Sequence, residues 1–279
     1  MQIDLTAGFS LELPDGDKAS IWNDGDYEPV ETALFQRELT PGSVVFDIGA
    51  HVGYFSILFS RLVGESGRVF AFEPDPINFS LLQRNLASNA CHNVTVRQAA
   101  VSDRTGPAEL FRCPFNSGMN RLYGSVICSS DHVAVNTVAL DALAEELPTP
   151  DWIKLDVEGY ELRALSGMRN LLRGSANPRL LVEFSPVISL EAGYSALELL
   201  EWMVELGFVA MDCHHGQWQP LAVERVREPI LRIEKMWPNF YATLPGRSAE
   251  EMGMMGHQFL LDCGYERPMN ENLLFRRMI

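Results

Sequence analysis

The sequence has no Cys-x-x-Cys pair, no stretch approaching 18 uncharged apolar residues and no surplus of basic side chains, and each absence excludes a class of protein. The five cysteines, Cys91, Cys113, Cys128, Cys213 and Cys263, are odd in number and scattered. They read as reduced thiols rather than a disulfide framework or a zinc site. No long apolar run means no expected transmembrane helix, and the opening Met-Gln-Ile-Asp-Leu-Thr lacks the basic-then-apolar order of a secretory leader. A formal net charge of -15 repels phosphate polyanions, so neither nucleic acid nor an anionic membrane is an expected partner. A G-x-S-x-G nucleophile elbow is missing, as are internal repeats and low-complexity tracts. What these exclusions leave is a soluble, cytoplasmic protein with a small-molecule partner.

What is present is alternation. At 279 residues and 47% hydrophobic, the chain can build a full core in one large domain, with or without an appendage. Apolar runs predict strands at 43–48, 68–73, 94–98, 152–156, 180–184 and 208–213, and apolar stripes at helical spacing predict helices at 53–63, 76–89, 159–173 and 196–206. Such an order implies right-handed crossovers and an α/β fold, a mostly parallel sheet with helices on both faces. Residues 1–40 form an expected N-terminal cap, with a strand pair at 9–13 and 19–22 and a helix at 30–39. Residues 107–138 read as an insertion on the sheet edge, and a final strand is expected at 239–243. That places the main domain at 41–246 and leaves 247–279 as an appendage, either a lid or a contact in a homodimer.

Two stretches carry chemistry. The first is Val-Val-Phe-Asp-Ile-Gly-Ala-His-Val-Gly-Tyr at 44–54, followed by Arg-Val-Phe-Ala-Phe-Glu-Pro-Asp at 68–75. It predicts a strand, a glycine turn at Gly49 and Gly53, a helix, and a second strand ending in Glu73, placed to accept hydrogen bonds from a ribose diol. The spacing lacks the third glycine of a dinucleotide fingerprint, and Asp47 at the strand tip would repel a pyrophosphate. The same carboxylate suits the ammonium of an amino-acid-bearing nucleoside, which favours S-adenosylmethionine over NAD or FAD. The bland alternatives are a helix cap for Asp47 and a solvated strand end for Glu73.

The second stretch is Trp-Ile-Lys-Leu-Asp-Val-Glu-Gly-Tyr-Glu at 152–161. In a doubly wound sheet, Asp156 would face Asp47 across the point where strand order reverses. Glu158 and Glu161 read either as site carboxylates or as favourable charge in a helix first turn. Glu183 ends the next apolar run and would meet substrate or a buried arginine. Asp212 with His214 and His215 suggests a metal site, against which stands a plain surface turn. Nothing in the linear spacing supports a metal ligand set, so a divalent ion is an option without sequence support.

Together these residues resemble the FkbM-type family of S-adenosylmethionine-dependent methyltransferases. The match runs through Gly-Asp-Tyr-Glu-Pro at 25–29, the two stretches above, Ala-Val-Ser-Asp at 100–103 and Leu-Val-Glu at 181–183. The resemblance implies a class I methyltransferase, a Rossmann-like sheet of seven strands with the last antiparallel. It implies that Asp47, Gly49, Ala50 and Gly53 surround the methionine part, Glu73 with Pro74 the ribose, and Ser102 and Asp103 the adenine. Tyr27 and Glu28 would close the cofactor pocket, and Asp156 would face both cofactor and acceptor. His51 stands where the family mostly has asparagine, which alters hydrogen bonding beside the cofactor. The implied activity is methyl transfer to a hydroxyl of a sugar or natural product, with Asp156 and Glu158 as catalytic carboxylates. The competing readings are a nicotinamide-dependent oxidoreductase and a cofactor-binding protein without catalysis.

Overall fold

The computed structural model describes residues 1–14, 27–126, 128, 131–214, 217–267 and 271–277. A small hairpin, β1 (Gln2–Asp4) with β2 (Ser10–Glu12), precedes α1 (Pro29–Glu38). The expected strand at 19–22 lies outside the described residues. Then come β3 (Val44–Ile48), α2 (Tyr54–Val63), β4 (Arg68–Phe72), α3 (Pro76–Ser88) and β5 (Val94–Arg97). The insertion is a separate three-stranded sheet of β6 (Ala100–Val101), β7 (Gly106–Arg112) and β8 (Asp131–Val138). The chain returns through β9 (Trp152–Leu155), α4 (Glu161–Ser166), α5 (Arg169–Gly174), β10 (Arg179–Phe184), α6 (Pro186–Glu191) and α7 (Ala196–Glu205). It continues with β11 (Phe208–His214), β12 (Gln217–Pro220), α8 (Val223–Tyr241), α9 (Ala249–Asp262) and β13 (Glu271–Arg277).

The main sheet has the order β12-β11-β13-β10-β9-β3-β4-β5. Strands β3, β4, β5, β9 and β10 run parallel, while β13 is antiparallel to both neighbours. The class I arrangement is therefore present, with β12 added at one edge. Each central strand is apolar on both faces because each faces a separate core. Phe46, Ile48, Ile153 and Leu155 point into one, and Val45, Trp152 and Leu181 into the other. Chain order reverses between β3 and β9, so their carboxyl ends open onto one crevice. Among the described residues no helix is long and apolar enough to cross a membrane, and none of the five cysteines is in a disulfide.

Three expectations change. Residues 239–243 hold no strand: they fall at the end of α8 and just beyond, a 19-residue helix that carries Pro229 and Pro238 internally. Residues 247–279 do not stand apart from the sheet, because β13 fills the gap between β10 and β11 and buries Leu273 and Phe275 on one face. Finally, the helix expected at 159–173 is two helices meeting at Gly167, where a Cβ would lie 1.8 Å from the Ser102 carbonyl oxygen. A side chain there meets backbone, which cannot swing aside. Gly167→Ala is expected to destabilise the fold by about 1–3 kcal/mol, read as a lower thermal midpoint; an unchanged midpoint would contradict this packing.

Candidate active site

The turn after β3 is built by close approach. Gly49 has φ 86°, and a Cβ on it would sit 1.8 Å from the carbonyl oxygen of Asp156, so the tips of β3 and β9 touch through a bare Cα. The N–H groups of Gly49 and Ala50 both donate to the Phe72 carbonyl at 3.0 Å. His51 follows in the left-handed region, φ 51°, and its N–H donates to Glu73 Oε2 at 2.9 Å. The other Glu73 oxygen accepts from the Asp75 N–H, also at 2.9 Å. Glu73 is thus a buried anchor, not a solvated strand end, and burial pushes its carboxyl up to about 8. Two N–H donors leave a carboxylate with further lone pairs to offer.

Asp47 is fully buried. Its Oδ2 accepts from the Ser56 hydroxyl at 2.5 Å, while Oδ1 has no partner. It does not cap the following helix: the N-cap of α2 is Gly53, with no side-chain hydrogen bond. Gly53 itself packs a helix, since a Cβ there would come 2.7 Å from Leu82 Cδ1.

Lys154, for which the sequence suggested no role, lies at the centre of the charge balance. It is 3% exposed, its Nζ donates to Asp156 Oδ2 at 2.7 Å, and it sits 4.7 Å from the Phe55 ring centroid. Burial opposes its charge, but Asp156, Glu28 and Asp47 outweigh burial and hold its pKa above the ordinary lysine range. The signal was available, because a lysine inside a central strand must find a carboxylate. Glu28 has φ 43° and a buried Oε2 without a partner; burial raises its carboxyl to about 7 against the pull of Lys154.

Past β9, Glu158 takes φ 53°. Burial pushes its carboxyl up to about 8, opposed by Arg121, whose Nη2 lies 3.5 Å away. That separation is an ion pair without a hydrogen bond, and Glu158 Oε2 has no hydrogen-bond partner. Arg121, 2% exposed, is engaged by Glu191 at 2.5 Å. Glu161 has a structural role: its Oε1 accepts from the N–H groups of Val157 and Gly159 at 3.2 and 3.1 Å, and its Oε2 from the Tyr194 hydroxyl at 3.1 Å. Glu183 is 8% exposed, and burial with nearby Glu158 and Asp156 raises its carboxyl well above the usual range.

Lys154, Glu183 and most of the acids above line one cavity of about 430 Å³, which Gly53, Arg121 and Glu161 do not border. Of the residues singled out in the sequence, Tyr27, Glu28, Asp47, Gly49, Ala50, His51, Glu73, Pro74, Asp156 and Glu158 border it. Ser102 and Asp103 do not: Ser102 donates to Asp103 at 3.0 Å, Asp103 accepts from Arg163 at 3.0 Å, and Ala99 with β6 borders the cavity instead. The insertion adds an unforeseen roof, a tight turn at Ser117–Met119. Asn116 caps it through the Gly118 N–H, the Asn78 amide donates to the Ser117 carbonyl at 3.1 Å, and Ser117 Oγ lies 2.6 Å from His51 Nε2. Asp212 belongs elsewhere, paired with Arg267 at 2.6 Å; His215 lies outside the described residues.

The chain is 37% identical to the 31-O-demethyl-FK506 methyltransferase FkbM of Streptomyces tacrolimicus, over 58% of this chain and 76% of that protein. It is 29% identical to the hexuronic acid methyltransferase AglP of Haloferax volcanii, over 50% of this chain and 56% of that protein. The chain thus spans little more than half of the archaeal relative. A solved S-adenosylmethionine-dependent O-methyltransferase from Thermotoga maritima aligns with TM-score 0.44 and 12% identity, over 100% of this chain and 78% of that one. The profile of the methyltransferase FkbM domain matches residues 47–210, from the first acidic strand tip through β10 and into β11. The chain belongs to the FkbM family of S-adenosylmethionine-dependent methyltransferases.

Proposed function

We propose that this protein transfers a methyl group from S-adenosylmethionine to a hydroxyl of a small oxygen-rich molecule, a sugar or a natural product. The observation that carries the reading is Asp47 Oδ1, a buried carboxylate oxygen without a partner at the mouth of the glycine turn. Such an oxygen needs a donor, and the donor ammonium supplies one. The rest of the cavity fits the same ligand. Glu28 presents a second unpartnered oxygen, Glu73 has acceptor capacity left for a ribose diol, and Ala99 with β6 offers an apolar wall for adenine. A pyrophosphate would meet Asp47, Glu28 and Glu73 together, which argues against a nicotinamide dinucleotide. The two relatives named for hexuronic acid and 31-O-demethyl-FK506 support an oxygen acceptor.

Bound S-adenosylmethionine supplies a methyl carbon on a positive sulfonium, whose sulfur leaves as a neutral thioether. Residues of this chain do the rest. Asp47 and Glu28 fix the amino-acid end, Glu73 fixes the sugar, and Asp156 and Glu158 receive the acceptor on the open side. At the acceptor, the Asp156–Glu158 pair would orient the hydroxyl and take up its proton as the oxygen receives the methyl group. Most of the rate then comes from alignment within a cavity that holds both partners.

Calorimetry with S-adenosylmethionine and with NAD tests the donor, and methyl transfer to a panel of hydroxyl compounds tests the chemistry. Asp47→Asn should weaken S-adenosylmethionine by roughly tenfold to a hundredfold, the worth of about 1.5–3 kcal/mol for a charge-assisted hydrogen bond. No binding of S-adenosylmethionine at millimolar concentration would sink the proposal.

A further inference from the structure

We infer that Asp156, Glu158 and Glu183 form a divalent-cation site on the acceptor side of the cavity. Each offers a carboxylate oxygen, and the three oxygens lie within 4.8 Å of one another. Calcium binds oxygen at about 2.3–2.6 Å and magnesium at about 2.0–2.1 Å, so oxygens on opposite sides of one ion stand roughly 4.0–5.2 Å apart. The cluster holds no pair farther apart than the span that one such ion bridges. Its members come from the ends of two neighbouring parallel strands, β9 and β10, which is why no ligand pattern shows in the linear sequence.

The second observation concerns Glu183 itself. It borders the cavity, is 8% exposed, and among the described residues makes no hydrogen bond or ion pair. The nearby cations do not serve it. Lys154 is committed to Asp156 Oδ2, and Arg121 is shared between Glu191 and Glu158. Glu158 Oε2 is likewise buried without a hydrogen bond. Asp156 and Glu158 each have one protein cation beside them and Glu183 has none, so the cluster has a net negative charge to offset, and an all-oxygen set favours a hard ion such as Mg²⁺, Mn²⁺ or Ca²⁺ over zinc or copper.

This deepens the methyl-transfer reading and rests on it for its chemical use, though cation binding itself does not. An ion here would bind the acceptor hydroxyl and lower its pKa, easing a proton loss that a carboxylate alone makes uphill. It would also set the acceptor class. An anionic acceptor is repelled by the bare acids but can chelate the ion through its hydroxyl and an adjacent oxygen, so vicinal diols and hydroxy acids are the expected substrates.

The test uses Mn²⁺ alone with the full chain, stripped by chelator and free of S-adenosylmethionine. Unbound Mn²⁺ is read by its paramagnetic resonance signal. One ion per chain should bind with an affinity on the order of 0.1 mM, and Mg²⁺ or Ca²⁺ should displace it. Glu183→Gln should weaken Mn²⁺ by more than the ~10-fold that losing an outer-sphere partner costs, with S-adenosylmethionine affinity kept within about threefold. Glu158→Gln provides the same test if Glu183→Gln fails to fold. Absence of Mn²⁺ binding at millimolar concentration, or unchanged binding in the folded variants, overturns the site. Calorimetry with S-adenosylmethionine decides the donor separately, so the two failures are distinguishable.

Discussion

Lys154→Met should lower the thermal midpoint by roughly 10 °C or more, because removing one partner of a buried ion cluster costs about 3–5 kcal/mol. The methionine fills the same volume, so the loss is electrostatic. Asp47 and Glu28 border the same cavity as Lys154, and Asp156 holds its ammonium at 2.7 Å. Without it, three carboxylates share a low-dielectric corner with no cation of their own. The deficit should grow with pH. In the variant the carboxyls of Glu28 and Asp47, already raised by burial, lose the cation that pulls them down, so the folded state binds protons more tightly and loses stability as pH rises through that window. In the wild type the lysine contribution is fully present near neutrality, since its folded pKa is raised and stability is lost only as pH climbs through it. Melting curves at pH 5.5 and 8 check both statements. A pH-independent loss under about 1 kcal/mol, no more than a surface ion pair contributes, would mean Lys154 is not the neutralising charge.

Glu158→Gln should lower kcat by about 10²- to 10⁴-fold, the range for removing a positioned acid–base group, while S-adenosylmethionine binds within a few-fold of normal. The fold should not suffer. Glu158 makes no hydrogen bond through Oε2, Arg121 keeps Glu191 as a partner when the Glu158 charge is gone, and Asp156, Glu161 and Glu183 are acidic neighbours. Replacing the charge with an amide of equal shape relieves repulsion, so the thermal midpoint should stay level or rise. A site that gains stability when disabled is one whose strain serves function. Single-turnover methyl transfer together with a melting curve settles the matter. A variant with near-normal turnover removes Glu158 from the chemistry.

The sheet and its acidic strand tips were legible because they are local. Asp47, Glu73 and Asp156 each end an apolar run, and an acid in that position needs a polar reason wherever it occurs. Gly49 was legible for the same cause, as a turn residue between a strand and a helix. What could not be read depends on partners distant in the chain. Residues 271–277 look like an ordinary extended tail, and only pairing with β10 and β11 makes them central. Residues 239–243 read as a final strand, yet α8 runs through Pro238 to Tyr241. Ser102 and Asp103 follow the third strand as the family pattern implies, but neither borders the cavity, and Asp103 pairs with Arg163, a residue distant in sequence. Lys154 was overlooked because its neighbours Ile153 and Leu155 make the run look purely apolar. The Ser117 roof had no local signal, since its position depends on Asn78 and His51, both far away in sequence.

The placement of β13 also governs the order of events during synthesis. Strand β11 has no neighbour on the β10 side until residues 271–277 exist, because β13 lies between them. At about 5–20 residues per second, the ribosome makes β13 several seconds after β11. During that interval β3, β4 and β5 can assemble through short crossovers, and β9 can join β3 once the insertion has been made. The edge of β10 stays unpaired, and open edges invite wrong partners. The late strand therefore makes this protein a natural client for chaperones that shield a nascent sheet, and any lesion that delays or removes residues 271–277 should reveal itself first as aggregation.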